Sequence, residues 1–119
     1  AGMQIGGHTV SHPILARLDR EAAGHEIEMS KQKLEALLDE RVGLLAYPNG
    51  KPGEDYTHQA VSLARELGFE AAVTTAWGAA DRSSDLFELP RFTPWDRSRF
   101  RFGARLLRNL GTAHAPRAK

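Results

Sequence analysis

The chain has 119 residues, 41% hydrophobic and 26% charged, with a formal net charge of +1, which is the size and make-up of one globular domain with a core of its own. Cysteine is absent, so neither a disulfide framework nor a thiolate metal site is available. The near-neutral balance argues against a dedicated nucleic-acid binder, no apolar run approaches the roughly 20 residues of a membrane span, and the first residues lack the basic-then-apolar layout of a signal peptide. Charge is nonetheless uneven: seven of the 16 Lys and Arg fall in residues 97–119, which hold no Asp or Glu. One end is basic and the rest acidic.

Residues 3–6 read as the tail of a strand running into Gly6-Gly7-His8-Thr9-Val10-Ser11-His12-Pro13. A turn over 14–18 leads to a long helix over about 19–41 with Asp19 as N-cap. Its stripe is Ala23, Ile27, Ser30, Leu34, Leu37 and Leu38, with Glu26, Lys33, Glu35 and Glu40 mostly off it. The apolar run 43–47 reads as a strand buried on both faces, ended by Pro48-Asn49-Gly50. Asp55 is expected to cap a second helix through Leu67, burying Ala60, Val61, Ala64 and Leu67, with Gly68 just beyond its end. Residues 69–75 form a third strand and 77–85 a loop. Phe87-Glu88-Leu89 and Arg91-Phe92 suggest a fourth, edge strand around Pro90. A last helix over about 97–110 places Phe100, Ala104, Leu107 and Gly111 on one side and Arg97, Arg101, Arg105 and Arg108 on another, and residues 112–119 read as a disordered tail.

Strand alternates with helix throughout, which predicts an α/β fold with three to four parallel strands in a single domain, residues 1–119. In such folds the loops that carry chemistry follow the C-terminal ends of the strands. Three conspicuous stretches do so: His8 to His12, Tyr47 to Gly50, and Thr74 to Trp77. They are expected to meet at one end of the sheet.

Two histidines four residues apart, between paired glycines and a proline, sit on a shaped loop rather than a helix. Neutral imidazoles on one loop can share a divalent ion once a third ligand arrives. Spacing alone leaves open a pair of polar loop histidines that bind nothing. His25 and His58 read as solvent-facing helix residues, and His114 lies in the tail. The basic stripe on the last helix reads as a solvated face, with an anionic polymer or membrane surface as the alternative.

The segment Gly6 to Pro13 resembles the histidine motif of the polysaccharide deacetylases, the carbohydrate esterase family 4 that includes the NodB-type enzymes. His8, Thr9, His12 and Pro13 match every fixed position of His-Ser/Thr-x-x-His-Pro. The resemblance implies a partial (β/α) barrel and a divalent metal, Zn2+ or Co2+, held by His8 and His12. Ala46-Tyr47-Pro48-Asn49-Gly50 is similar to the family's third motif, with Ala46 in place of its arginine and Asn49 in place of its tyrosine. By that likeness the Asn49 backbone N–H contacts the oxyanion, and Tyr47 and Pro48 border the substrate. Trp77 is a candidate wall for a sugar ring, or else a core or lid residue. Arg91, in Leu89-Pro90-Arg91, is a candidate substrate contact, or else a partner of Asp81 or Asp96.

The family also uses an Asp-Asp pair for the general base and third metal ligand, and a Leu-x-His for the general acid. Neither occurs in these residues, so the likeness extends over nearly all of this chain but only the later part of a family domain. A full barrel takes about 250 residues. The expected activity is metal-dependent removal of N- or O-acetyl groups from an acetylated polysaccharide, with weak metal binding and little turnover by this segment alone. The exposed sheet edge is expected to drive self-association, and the likeness favours the cell envelope or the outside of the cell. A non-catalytic carbohydrate-binding or interaction module on a degenerate barrel is the main alternative. A sugar isomerase or amidohydrolase would need carboxylate and lysine ligands that are missing.

Overall fold

A computed structural model describes residues 2–92, 95–111 and 117–118. Three short strands, β1 (Gly6–Gly7), β2 (Leu44–Ala46) and β3 (Ala71–Val73), form one parallel sheet in the order β1-β2-β3. Gly6 stands opposite Leu44, and Leu44 opposite Ala71. Helices α1 (Arg20–Leu38) and α2 (His58–Glu66) make the crossovers, and α3 (Arg99–Leu110) follows the sheet. This is the expected α/β alternation, consistent with part of a (β/α) barrel. No described helix is long and apolar enough to cross a membrane.

Helix α1 starts where Asp19 accepts a hydrogen bond from the Ala22 amide at 2.8 Å, a cap worth about 1 kcal/mol. It buries Ala23, Ile27 and Ser30 against the sheet, and full burial of a side chain like Ile27 stabilises by about 1.5–3 kcal/mol. Gly7 permits that approach, since a Cβ there would lie 3.1 Å from Ser30 Oγ. The helix ends three residues before the expected Arg41 because Asp39 turns left-handed, φ 52°, and its amide closes on Glu35 O. The apolar stripe is also shorter than its sequence. Leu34 packs on the core, whereas Leu37 is 81% exposed.

Asp55 does not cap α2; it accepts the Lys51 amide at 2.9 Å and so closes the preceding loop, and Thr57 occupies the N-cap. Ala60, Val61 and Ala64 are buried as the periodicity requires, and Gly68 adopts φ +74° just past the end. The core gathers Leu15, Ile27, Val42, Leu45, Tyr47, Tyr56, Phe69 and Phe87.

The expected fourth strand reduces to a single parallel bridge, Val73 to Leu89. Ala72 donates to Leu86 O and receives the Leu89 amide on its own carbonyl, a spacing one residue too long for a regular ladder. That bulge, with the Arg91 amide passing over Thr74 O to bond Ala76 O, interrupts the regular pairing. Helix α3 begins at Ser98, which accepts from the Arg101 amide. Its expected inner side is not covered by the described residues: Phe100 is 87% exposed and Leu107 is likewise exposed, whereas Asn109 is buried. His114 and most of the expected disordered tail lie outside the described residues. Within that stretch, Arg117 donates to Ser83 O and the Ala118 amide to Glu88 Oε1.

Candidate metal centre and the loops around it

The three loops that leave the strand ends are bonded to one another. His8 follows β1 directly, and its Nδ1 lies 2.7 Å from the carbonyl of Ala46, the last residue of β2. Beyond β2, Asn49 O accepts the Thr75 hydroxyl at 2.7 Å, and Gly50 O accepts the Thr75 amide at 2.9 Å. Beyond β3, Arg91 Nε donates to Thr74 O at 2.6 Å and the Arg91 amide to Ala76 O. The loops therefore meet at one end of the sheet, as parallel connectivity requires.

The His8 and His12 rings stand edge to face with centroids 4.8 Å apart. A carbonyl only accepts, so in the neutral imidazole the His8 proton sits on Nδ1 and the lone pair on Nε2. This is the arrangement that orients metal-binding histidines. Thr9 and His12 take positive φ, 63° and 57°, each at a cost of order 1–3 kcal/mol that contacts around the loop must offset. Thr9 Oγ1 donates to His8 O and accepts from the His12 amide, tying the loop to itself.

The remaining restraint comes from Glu26 on α1. Its Oε2 accepts the Val10 and Ser11 amides at 2.8 and 2.9 Å, and its Oε1 accepts the Ser11 hydroxyl at 2.7 Å. Partial burial pushes the Glu26 carboxyl up, but the Ser11 hydroxyl and the two amides outweigh it and hold the group below the ordinary carboxylate value. Sequence reasoning left Glu26 off the buried stripe with no role. Nothing in local pattern marks a glutamate whose partners lie 15 and 16 residues away.

As a donor set, two imidazoles make half of a divalent-metal site, since such ions take a third protein ligand in catalytic sites. Among the described residues no group of three or more His, Asp or Glu could hold a metal ion. A metal held by His8 and His12 needs its further ligand from outside them.

Asn49 lies in the left-handed region, φ 55°, and its backbone N–H has no hydrogen-bond partner among the described residues. The following Gly50, φ +77°, is enforced sterically, because a Cβ there would come within 2.9 Å of the Thr75 amide nitrogen.

Tyr47 and Pro48, the candidates for the substrate border, are both buried. Tyr47 is 0% exposed, stacks on Tyr56 at 4.1 Å and donates its hydroxyl to Phe87 O at 3.0 Å. Burial, with the nearby Glu88 and Asp85 carboxylates, pushes the phenol well up, so it stays a donor. Pro48 is also fully buried. Both residues lie just past the end of β2, and packing rather than strand alternation buries them: Tyr47 is held on Tyr56 and Phe87 O, and Pro48 is enclosed beside it. Trp77 is 47% exposed, edge-on to Phe92 at 5.7 Å and under the Arg105 guanidinium at 5.6 Å. Asp96 faces Arg105 Nε at 2.8 Å, and Arg91 braces the third loop instead of pairing with Asp96.

An α/β chain with paired imidazoles at the strand ends matches the family model for polysaccharide deacetylase over residues 1–72. The chain belongs to the polysaccharide deacetylase family. It is 28% identical over 90 residues to the putative polysaccharide deacetylase YxkH of Bacillus subtilis, covering 76% of this chain and 31% of that protein. Among solved structures, the Streptococcus pyogenes deacetylase PplD in complex with acetate is 31% identical with a TM-score of 0.71, over 76% of this chain and 38% of that one. A family 4 carbohydrate esterase from Streptomyces lividans in complex with acetate shares the fold, with a TM-score of 0.54 at 21% identity over 60% of this chain and 35% of that one. The chain thus spans about a third of the length of these relatives.

Proposed function

We propose that this chain forms the histidine and oxyanion side of the active site in a metal-dependent polysaccharide deacetylase, which hydrolyses N- or O-acetyl groups on a carbohydrate polymer. The observation that carries this reading is the His8 Nδ1 contact with Ala46 O, beside His12. It fixes the tautomer and leaves Nε2 available, an orientation that a pair of idle loop histidines does not need.

His8 and His12 would hold Zn2+ or Co2+, which when bound supplies Lewis acidity toward the acetyl carbonyl and water. The Asn49 N–H, without a partner among the described residues, donates to the oxyanion that develops as water adds to the carbonyl carbon. Arg91 braces the loop that carries Trp77, and Trp77 offers an aromatic face to a sugar ring. The general base and third ligand are aspartates outside these residues, as the family likeness implies, and this segment alone turns over little or nothing.

The same reading assigns a partner to the sheet edge. The outer side of β3 is bonded to residues 86–89, whereas among the described residues β1 pairs only with β2, beside exposed Met3 and Ile5. A second copy or a swapped segment covers that side.

Zinc and cobalt titration calorimetry on this chain, on His8→Ala and on His12→Ala, together with acetate release from an acetylated chitooligosaccharide by the chain extended upstream through an Asp-Asp segment, tests the function. Histidine-dependent metal binding, with acetate released only by the extended form, supports it. Absence of histidine-dependent binding in both forms overturns it. Sugar binding independent of metal would favour a non-catalytic module, a reading that rests on half-exposed Trp77 beside a cavity of about 790 Å³.

A further inference from the structure

We propose that Glu26 is the positioning residue of the histidine loop, seating the Val10–Ser11 turn so that the His8 and His12 rings converge. The consequence for metal rests on the reading of those histidines as ligands. An ionised carboxylate accepts and does not donate, and Glu26 meets three donors: two consecutive backbone amides and one hydroxyl, all within 2.9 Å. These donors lie midway between the two histidines.

The loop needs an external hold. Thr9 and His12 both occupy the left-handed region, a conformation that a β-branched residue such as Thr9 avoids without enforcement. Inside the loop, the side-chain bonds that oppose it are the two made by Thr9 Oγ1. Glu26 supplies the rest from a rigid support, because its neighbour Ile27 is fully buried and Ala23 and Ser30 fix the same helix on the sheet. Together with the Ala46 carbonyl on His8 Nδ1, the carboxylate sets the ring positions from two elements outside the loop. Groups bonded directly to metal ligands typically change affinity by about 10- to 100-fold when removed, and Glu26, which acts on the ligands through the loop backbone, is expected at the lower end of that range.

The test compares wild type, Glu26→Ala, Glu26→Leu and Glu26→Gln by two readouts: amide exchange at Val10 and Ser11 by NMR without metal, and cobalt affinity by calorimetry. Glu26 is half-buried on a helix surface, so the variants are expected to fold, which a thermal melt checks. Alanine and leucine should lose protection at both amides and weaken cobalt binding by about 10-fold or more. Glutamine keeps one carbonyl acceptor and should restore most of both. Unchanged amide protection in the alanine and leucine variants overturns the proposal, and so does weaker cobalt binding without a change at those amides. If neither wild type nor its form extended upstream binds cobalt, the ligand reading fails, and the amide exchange alone decides whether Glu26 holds the loop.

Discussion

The Nδ1 atom of His8 lies 2.7 Å from the carbonyl oxygen of Ala46, 38 positions further along the chain. The bond ties the loop after the first strand to the end of the second, and it sets which imidazole nitrogen carries the proton.

The tautomer is directly measurable. Nitrogen-15 NMR of the metal-free chain above the pH of imidazole titration should show His8 protonated at Nδ1 and unprotonated at Nε2. A His8 ring protonated at Nε2 would remove the geometric basis for its role as a ligand through that atom.

Gly50 and Asn49 should respond in opposite ways to substitution. Gly50→Ala sets a Cβ within 2.9 Å of the Thr75 amide nitrogen at φ +77°, and a loss of about 1–3 kcal/mol in urea unfolding is expected. Asn49→Gly relaxes a positive φ of 55° and keeps the backbone N–H. Its stability should be equal or higher, with acetate release by the extended chain retained.

Tyr47→Phe removes the hydroxyl bonded to buried Phe87 O and should cost about 1–3 kcal/mol, since a buried carbonyl loses its donor. Acetate release by the extended chain should stay roughly unchanged. A fall in release with no change in stability would support Tyr47 as a substrate contact.

Glu35 accepts the Val42 amide at 2.9 Å and pairs with Lys31. The Val42 bond outweighs a smaller opposing effect of burial, and with Lys31 and Arg41 it holds the carboxyl below its ordinary 4.5. The folded value is therefore lower than the unfolded one, so the stabilisation is complete above about pH 4.5 and is lost as pH falls through the folded value. The stability gap between wild type and Glu35→Gln should be full at neutral pH and close in acid. A gap unchanged down to pH 2 would contradict this assignment.

The side of β1 left unpaired among the described residues predicts association. Light scattering at rising protein concentration should show a dimer, and a lysine at exposed Ile5 should shift it toward monomer. A monomer at all concentrations would refute the assignment.

Much of this protein is written locally. Asp19 before a periodic run fixed the start of α1, the short apolar runs marked β2 and β3, and Gly68 marked the end of α2, because caps and hydrophobic periods act over a few residues. The likeness carried by His8, Thr9, His12 and Pro13 indicated the family, and strand-helix alternation put the three loops at one end of the sheet. Contacts distant in sequence required the folded chain. Only the tertiary structure turned Tyr47 and Pro48 inward, bulged residues 86–89 off a regular ladder, left Leu37 and Phe100 exposed, and brought Glu26 to Ser11. Side-chain direction at a strand end, and the partner of a helix-surface carboxylate, depend on what packs nearby; no residue pattern along one segment encodes that.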